Sequence, residues 1–317
     1  MSCFYWLRRL SAVSSYFILT VSGIIGTLII FAWLRHGDNT QYSILPLMNS
    51  YGKIDLSKDF NTNVTIKALS AREILDYFLW TNHTSCRLSH DFGGLMMKNP
   101  PGLDGQKSVC LDPTVAPRTP GCIVYSFGIN NEWSFDEAME KYGCQVFAFD
   151  PSMQQEDHDH TSNIHFFNLA LDSQDSAKKN RSLSTIYNKD LSGRHGRRLI
   201  DYLKIDVEFA EWHILPQVLQ SGMLNKVRQL AVEFHFSPKD TIDVLRDKVA
   251  VLRSLENYGL VRFNSRYNPW FYGPCFCQED EFVSCGFEIT WYNNKLRRRF
   301  KHFDIQNDWT LRKPNQT

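Results

Sequence analysis

From Leu69 to Tyr292, apolar runs of strand length alternate with amphipathic runs of helical length. That alternation confines the chain to a mostly parallel sheet with helices on both faces. Strands are expected at Cys122 to Phe127, Cys144 to Phe149, Asn163 to Leu169, Arg198 to Ile205, Val227 to Phe234, Tyr258 to Phe263 and Phe282 to Tyr292. Ser70-Ala71-Arg72-Glu73 and Ser134-Phe135-Asp136-Glu137 both have the capping-box pattern that opens a helix, and Gly143 is placed to end the second. A further helix is expected around Ala210 to Gln220, with Pro216 inside it, and a long one over Thr241 to Asn257. No helix separates the last two strands clearly, so they are expected to pair antiparallel at an edge.

Ligands of open α/β sheets bind beyond the carboxyl ends of the strands, near the point where strand order reverses. The residues just past each strand therefore carry the functional information. They are Ser126-Phe127-Gly128-Ile129-Asn130-Asn131, Asp150-Pro151-Ser152, Leu169-Ala170-Leu171-Asp172, Asp206-Val207-Glu208 and Glu233-Phe234-His235. Gly128 lets the backbone turn tightly and approach a ligand. Asp150 follows 22 residues later, where an acid is placed to take a ribose diol. The loop lacks GxGxxG, and no basic residue is placed to meet a pyrophosphate. A cofactor with ribose but no phosphate fits better, which points to S-adenosylmethionine. The plainer reading makes Gly128 a strand-to-helix turn and Asp150-Pro151 a turn starter.

Leu203-Lys204-Ile205-Asp206-Val207-Glu208-Phe209-Ala210-Glu211-Trp212 is the sharpest string. Its first two carboxylates flank one apolar residue, and alternation places both on one side. Such a pair can bind an ammonium, a hydroxyl or a metal. Acids at a helix N-terminus, complementing its dipole, are the structural alternative. His235, with an ordinary pKa near 6.5, is the candidate general base for an acceptor hydroxyl. No metal is assigned to the site.

The strings LKIDVEFAEW, YSFGINNEWSFDEAM, VFAFDPS and AVEFH together resemble the methyltransferase-like protein 24 group. That group belongs to the seven-strand S-adenosylmethionine-dependent methyltransferases and is close to the FkbM-type enzymes. The resemblance covers roughly Leu69 to Tyr292. It implies a Rossmann-like seven-strand methyltransferase sheet, mostly parallel, with an antiparallel edge strand. It further implies that Ser126, Gly128 and Asn130 form the cofactor loop and that Asp150 holds the ribose. Ala170 and Asp172 would lie near the adenine, and Asp206 with Glu208 would line the active site. Two departures stand out. Ser126 occupies the place of the first acid of the FkbM-type DxGAN loop, and Phe209 replaces a glycine.

Leu10 to Leu34 carries no charge over 25 residues, enough for a helix to cross a bilayer. Arg8 and Arg9 before it, against Arg35 after it, favour a cytoplasmic N-terminus. Seven of the eight cysteines follow the span, as do sequons at Asn63, Asn82 and Asn180, so a lumenal glycoprotein body is expected. The expected layout is a cytoplasmic tail at 1–9, a transmembrane helix at 10–34, a stem at 35–68, a methyltransferase-like domain at 69–295 and a basic tail at 296–317. Its partners are then the bilayer and an unknown methyl acceptor. The chain balances 34 acids against 35 Lys and Arg, and nucleic acid is not expected as a partner. The favoured acceptor is a hydroxyl of a glycan or small molecule. Two alternatives remain: a non-catalytic methyltransferase-fold binding protein, and a metal-dependent Golgi glycosyltransferase using the DxD pattern of Asp157 and Asp159.

Overall fold

The structure is a computed structural model and describes residues 65–98, 101–176, 179–273, 275 and 283–298. The expected tail at 1–9, the apolar span at 10–34, nearly all of the stem, the Asn63 sequon and Cys277 lie outside the described residues. Among the described residues, no helix is long and apolar enough to cross a membrane.

Seven strands of the main sheet follow the sequence pattern. They are β1 (Cys122–Phe127), β2 (Cys144–Phe149), β3 (Ile164–Phe167), β4 (Ile200–Ile205), β5 (Val227–His235), β6 (Leu260–Tyr267) and β7 (Gly286–Asn293). Their order is β6-β7-β5-β4-β1-β2-β3, and a two-residue strand, His158–Asp159, adds an eighth beyond β3. Strands β1 to β5 run parallel, and their central members are buried along their whole length. This is why they read as continuous apolar runs rather than alternating ones.

The last two strands pair antiparallel at one edge of the sheet, as expected, but β7, the strand that runs against the parallel set, is one place in from that edge. Strand β7 lies between β5 and β6 and pairs antiparallel with both. Every residue of β7 is buried, including Phe287, Ile289 and Trp291, so both of its faces are covered and strands flank both of its sides. The edge position goes to β6, whose outer half is only partly buried. At the opposite edge, His158–Asp159 pairs antiparallel with β3.

The four main helices are α1 (Ala71–Leu79), α2 (Ser134–Tyr142), α3 (Glu211–Gln220) and α4 (Ile242–Tyr258). The Ser70 and Glu73 capping box forms as expected. The second box does not. Trp133 is the N-cap of α2, and Ser134 sits in its first turn, where its hydroxyl accepts from the Gly94 N–H at 2.6 Å. A contact 40 residues away in sequence outbids the local cap. Gly143 ends α2 in a left-handed conformation, as its position predicts. Phe135, Met139 and Ile129 pack on Val124, Val146, Ala148 and Phe166, which builds one half of the core around the cofactor-loop end of the sheet.

The segment from Lys98 to Pro120 holds five prolines, a composition that suggests irregular structure, yet it and the residues before it form strands. Ser89–Phe92 pairs with Lys107–Cys110, and Leu95–Lys98 pairs with Pro101–Asp104 in a hairpin between them. Cys86 and Cys110 form a disulfide across a separation of 24 residues. Closing a loop of that size contributes about 3 kcal/mol in the chain-entropy account. Cys122–Cys144 and Cys275–Cys285 are also bridged. The basic tail begins docked rather than solvated. Arg228 donates to the Leu296 carbonyl at 2.8 Å, and the Arg298 N–H donates to the Thr114 carbonyl at 2.9 Å.

Candidate active site

Strand order reverses between β1 and β4, and the loops leaving these strands meet there. Gly128 has φ +82, and a Cβ at this position would lie 1.7 Å from the Asp206 carbonyl oxygen. Only glycine fits, for reasons of both conformation and space. The Asp206 N–H donates to the Phe127 carbonyl at 3.1 Å, so the two loops are joined through backbone. Lys204, buried in β4, donates to the Gly128 carbonyl and has Asp206 at 3.9 Å.

Asp150 organises this loop. One of its carboxylate oxygens accepts from the N–H groups of Ile129 at 2.9 Å and Asn130 at 2.7 Å. The other accepts from the Ser152 N–H at 2.8 Å and the Ser152 hydroxyl at 2.6 Å. These four bonds fill the usual accepting capacity of a carboxylate. Asn130 and Asn131 are left-handed, at φ +48 and +61, which suits asparagine better than most residues.

Ser126 is fully buried, and a buried acid, Asp136 of α2, lies near it. Asp136 is wholly buried, with Ser126 and Lys204 as its electrostatic partners. Burial raises its carboxyl to about 6, while Lys204 and the Ser126 hydroxyl pull it down. Ala170 sits in a short parallel pairing with Asn180–Arg181. Asp172 accepts from the Asn180 side-chain amide and from the Ser173 N–H, and it lies 3.4 Å from His213. The amide of the Asn180 sequon is thus engaged by Asp172.

Past β4 and β5 lies a buried charged cluster. Lys107 Nζ is 2.9 Å from Glu233, 2.9 Å from Glu288 and 3.6 Å from Asp206. Burial alone would lower the Lys107 pKa, but these three carboxylates outweigh it and raise it. Glu233 and Glu288 face each other in register across β5 and β7. Asn268 donates to Glu233 at 2.6 Å, and Arg266 lies 3.2 Å from Glu288 and 3.1 Å from Asp91. Glu233 stays well below the usual carboxylate range, because Lys107 and His235 overcome its burial. Asp206 goes the other way. Burial and the Glu233 charge raise it to about 7, against Lys107, Lys204 and His235.

His235 closes the cluster. Glu211 accepts its backbone N–H at 2.6 Å and lies 3.3 Å from Nδ1. Glu233 and Glu208 lie 3.7 and 3.8 Å from Nε2. Burial alone would lower the His235 pKa; Glu211, Glu233 and Asp206 more than offset it and hold it at about 9. Both ring nitrogens of His235, the candidate general base, thus face carboxylates. Asp206 keeps a partly exposed side chain beside this cluster. Asp206, Glu233 and His235 bring possible metal-ligand atoms within 4.8 Å of one another, and the cation bonded within this group is the Lys107 ammonium.

Glu208 and Phe209 both have positive φ, +48 and +74. For such residues this costs about 1–2 kcal/mol each. The Glu208 side chain is 76% exposed beside His235, and the Phe209 ring lies 5.5 Å from the imidazole and 5.8 Å from Phe271. The DxD aspartates are occupied elsewhere. Asp157 accepts from the Asn168 N–H at 2.8 Å, and Asp159 lies 2.6 Å from His165.

Sequence reasoning found Gly128, Asp150, Asp206, Glu208 and His235, and the structure brings the last three together. It missed Lys107, Glu211, Glu288 and Asp136. Glu233 and Glu288 carried a usable signal, since each is an acid inside an otherwise apolar strand. Lys107 carried none.

A mostly parallel α/β sheet with a glycine turn at its switch point and an acid-base cluster beside it defines a Rossmann-like domain. A family model described as Methyltransferase domain matches residues 84–283, well over half of the chain, and the chain belongs to that family. It is 29% identical over 212 residues to a Homo sapiens protein named probable methyltransferase-like protein 24. The Rattus norvegicus counterpart is 28% identical over 210 residues. Each alignment covers 60% of this chain, and the chain spans 56% of the length of these relatives. Among solved structures, a 16S rRNA (adenine(1408)-N(1))-methyltransferase variant from Catenulisporales acidiphilia aligns at TM-score 0.32 and 11% identity, covering 64% of this chain and 98% of that one.

Proposed function

We infer that the chain is an S-adenosylmethionine-dependent methyltransferase acting on a hydroxyl of a glycan or small molecule. The observation that carries this reading is the backbone union of Gly128 with Asp206, which brings the loop suited to a cofactor against the residue suited to be the base. The residues present fit the cofactor. Without a Cβ at Gly128 the cofactor loop packs directly on the Asp206 backbone. Asp150 stands at the end of β2 with one donor, the Ser152 hydroxyl, that a ribose hydroxyl can replace. Gly128, Asn130 and Asp150 would hold it, with Ala170 and Asp172 at the adenine side. Bound there, S-adenosylmethionine supplies an activated sulfonium methyl group.

The chain's own residues would do the rest. Asp206 takes the proton from the acceptor oxygen. Lys107 and Lys204 stabilise the carboxylate form of Asp206 before that transfer. His235, held by Glu211, fixes the geometry of Glu208 and Glu233. The three disulfides support an oxidising compartment, in keeping with a single-pass type II protein whose body faces the secretory lumen and whose residues 10–34 cross the bilayer.

A second reading, a binding protein without catalysis, is favoured by the saturated Asp150 carboxylate. Transfer of labelled methyl from S-adenosylmethionine to fractionated secretory-pathway glycans and metabolites separates the two. The enzyme reading expects label in one fraction, lost in Asp206→Asn. Cofactor binding without any transfer would favour the binding protein.

A further inference from the structure

The sequons at Asn82 and Asn180 fall among the described residues, and their surroundings differ. Asn82 lies in the loop between α1 and Cys86, where His83 and Thr84 are exposed and Asn82 is partly so. Its Oδ1 accepts from the Thr84 hydroxyl at 2.9 Å and from the Thr84 N–H at 3.2 Å. The first and third residues of this sequon are thus already in contact through the carbonyl side of the amide. Its Nδ2, the atom that an oligosaccharide would join, has no hydrogen-bond partner among the described residues.

The loop is also well placed to carry bulk. The Ser85 hydroxyl lies 2.8 Å from the Asn82 carbonyl and 3.0 Å from the Arg262 carbonyl of β6, and Cys86 is bridged to Cys110. Arg262 stands opposite Trp291, and Trp291 opposite Leu230. The loop therefore meets the sheet at its edge strand, at a level three residues before Glu233 along β5, or about 10 Å toward the amino end. The strand exits that form the candidate site lie at the other end.

Asn180 offers none of this. Its Nδ2 donates to Asp172 at 2.5 Å, its carbonyl accepts from the Ser176 N–H at 3.0 Å, and its backbone pairs with Ala170. Ser182, the third residue of that sequon, is buried, and its hydroxyl accepts from the Thr185 N–H as a helix N-cap. A sugar on Asn180 would crowd the pairing of Ala170 and the amide contact of Asp172.

We propose that Asn82 carries an N-linked oligosaccharide and that Asn180 is left unmodified. This rests on the lumenal reading of the body given above. In the transfer, Asn82 Nδ2 forms a bond to C1 of the first sugar of a lipid-pyrophosphate-linked oligosaccharide. The bond from C1 to the pyrophosphate oxygen breaks, the lipid pyrophosphate leaves with the electron pair, and the amide gives up one proton.

The test uses the full chain made in cells with a secretory pathway. Protease added outside sealed microsomes reports which side holds the domain. Peptide N-glycosidase in heavy-oxygen water then converts any glycosylated asparagine to a labelled aspartate, and peptide mapping locates the label. The expected result is a protected domain with label at position 82 and none at 180. Thr84→Ala should abolish the label at 82, and Thr84→Ser should keep it. A protected domain with Asn82 unlabelled, label at Asn180, or label at 82 that persists in Thr84→Ala overturns the proposal and leaves the lumenal reading standing. A domain digested from outside overturns the lumenal reading and the proposal with it.

Discussion

Gly128 and Asp206 are in backbone contact: a Cβ on the glycine would come within 1.7 Å of the aspartate carbonyl oxygen. The loop suited to a cofactor and the residue suited to proton removal are therefore one mechanical unit. Gly128→Ala should force both loops apart. The expected outcome is loss of S-adenosylhomocysteine binding by at least tenfold, with a lower melting temperature, because the change adds both a clash and a strained φ. Calorimetry and a thermal melt check it.

Asp206→Asn should leave cofactor binding near the parent value and lower kcat by about 10²–10⁴-fold, the usual contribution of a positioned base. Measuring kcat beside the cofactor dissociation constant separates a lost base from a damaged site. A parallel fall in cofactor affinity would assign Asp206 to binding instead.

Activity should follow a bell in pH. The rising limb lies near 7, where Asp206 ionises, and the falling limb near 9, where His235 loses its charge. These are values of a coupled cluster rather than of isolated groups. Stability has its own sign. His235 is raised in the folded chain, so its contribution is complete below the unfolded value near 6.5 and is lost as pH rises through about 9. Asp206 is also raised, so the folded state holds its proton longer than the unfolded one and loses stability as pH climbs from about 4 to 7. Denaturant midpoints should therefore fall from about pH 4 to 7 through Asp206, a fall absent in Asp206→Asn, and again from about pH 6.5 to 9 through His235.

Lys107→Met should be among the most damaging single changes in the domain. It leaves Glu233, Glu288 and Asp206 together without their shared ammonium. Breaking a buried ion pair from one side costs about 3–5 kcal/mol. A triple change that also converts Glu233 and Glu288 to Gln should recover most of that stability while activity stays lost. Urea unfolding of the three chains checks it.

The sequence was legible where the sheet is buried. Strands β1, β2, β4 and β5 show as mostly apolar runs because both of their faces are covered, and their exits mark the candidate site. It was not legible where one residue's role depends on another far along the chain. Lys107 meets Glu233 across 126 positions, from within a stretch whose prolines suggest irregular structure. Asp136 comes near Ser126 only because α2 packs its first turn against β1. The place of β7 was missed for a related reason: an antiparallel pair is readable from a short connection, but which neighbour then covers it is a tertiary matter. His235 was legible as a strand-exit residue, but the carboxylates around it, Glu208, Glu211 and Glu233, come together only in the fold.

The central claim is that the Gly128 and Asp150 crevice binds S-adenosylmethionine beside Asp206. The most direct measurement is a calorimetric titration of the full chain with S-adenosylhomocysteine, alongside Gly128→Val and Asp206→Asn. The account predicts saturable binding to the parent and to Asp206→Asn, and none to Gly128→Val. Absence of heat and of any thermal shift in the parent, or equal binding by Gly128→Val, would contradict it.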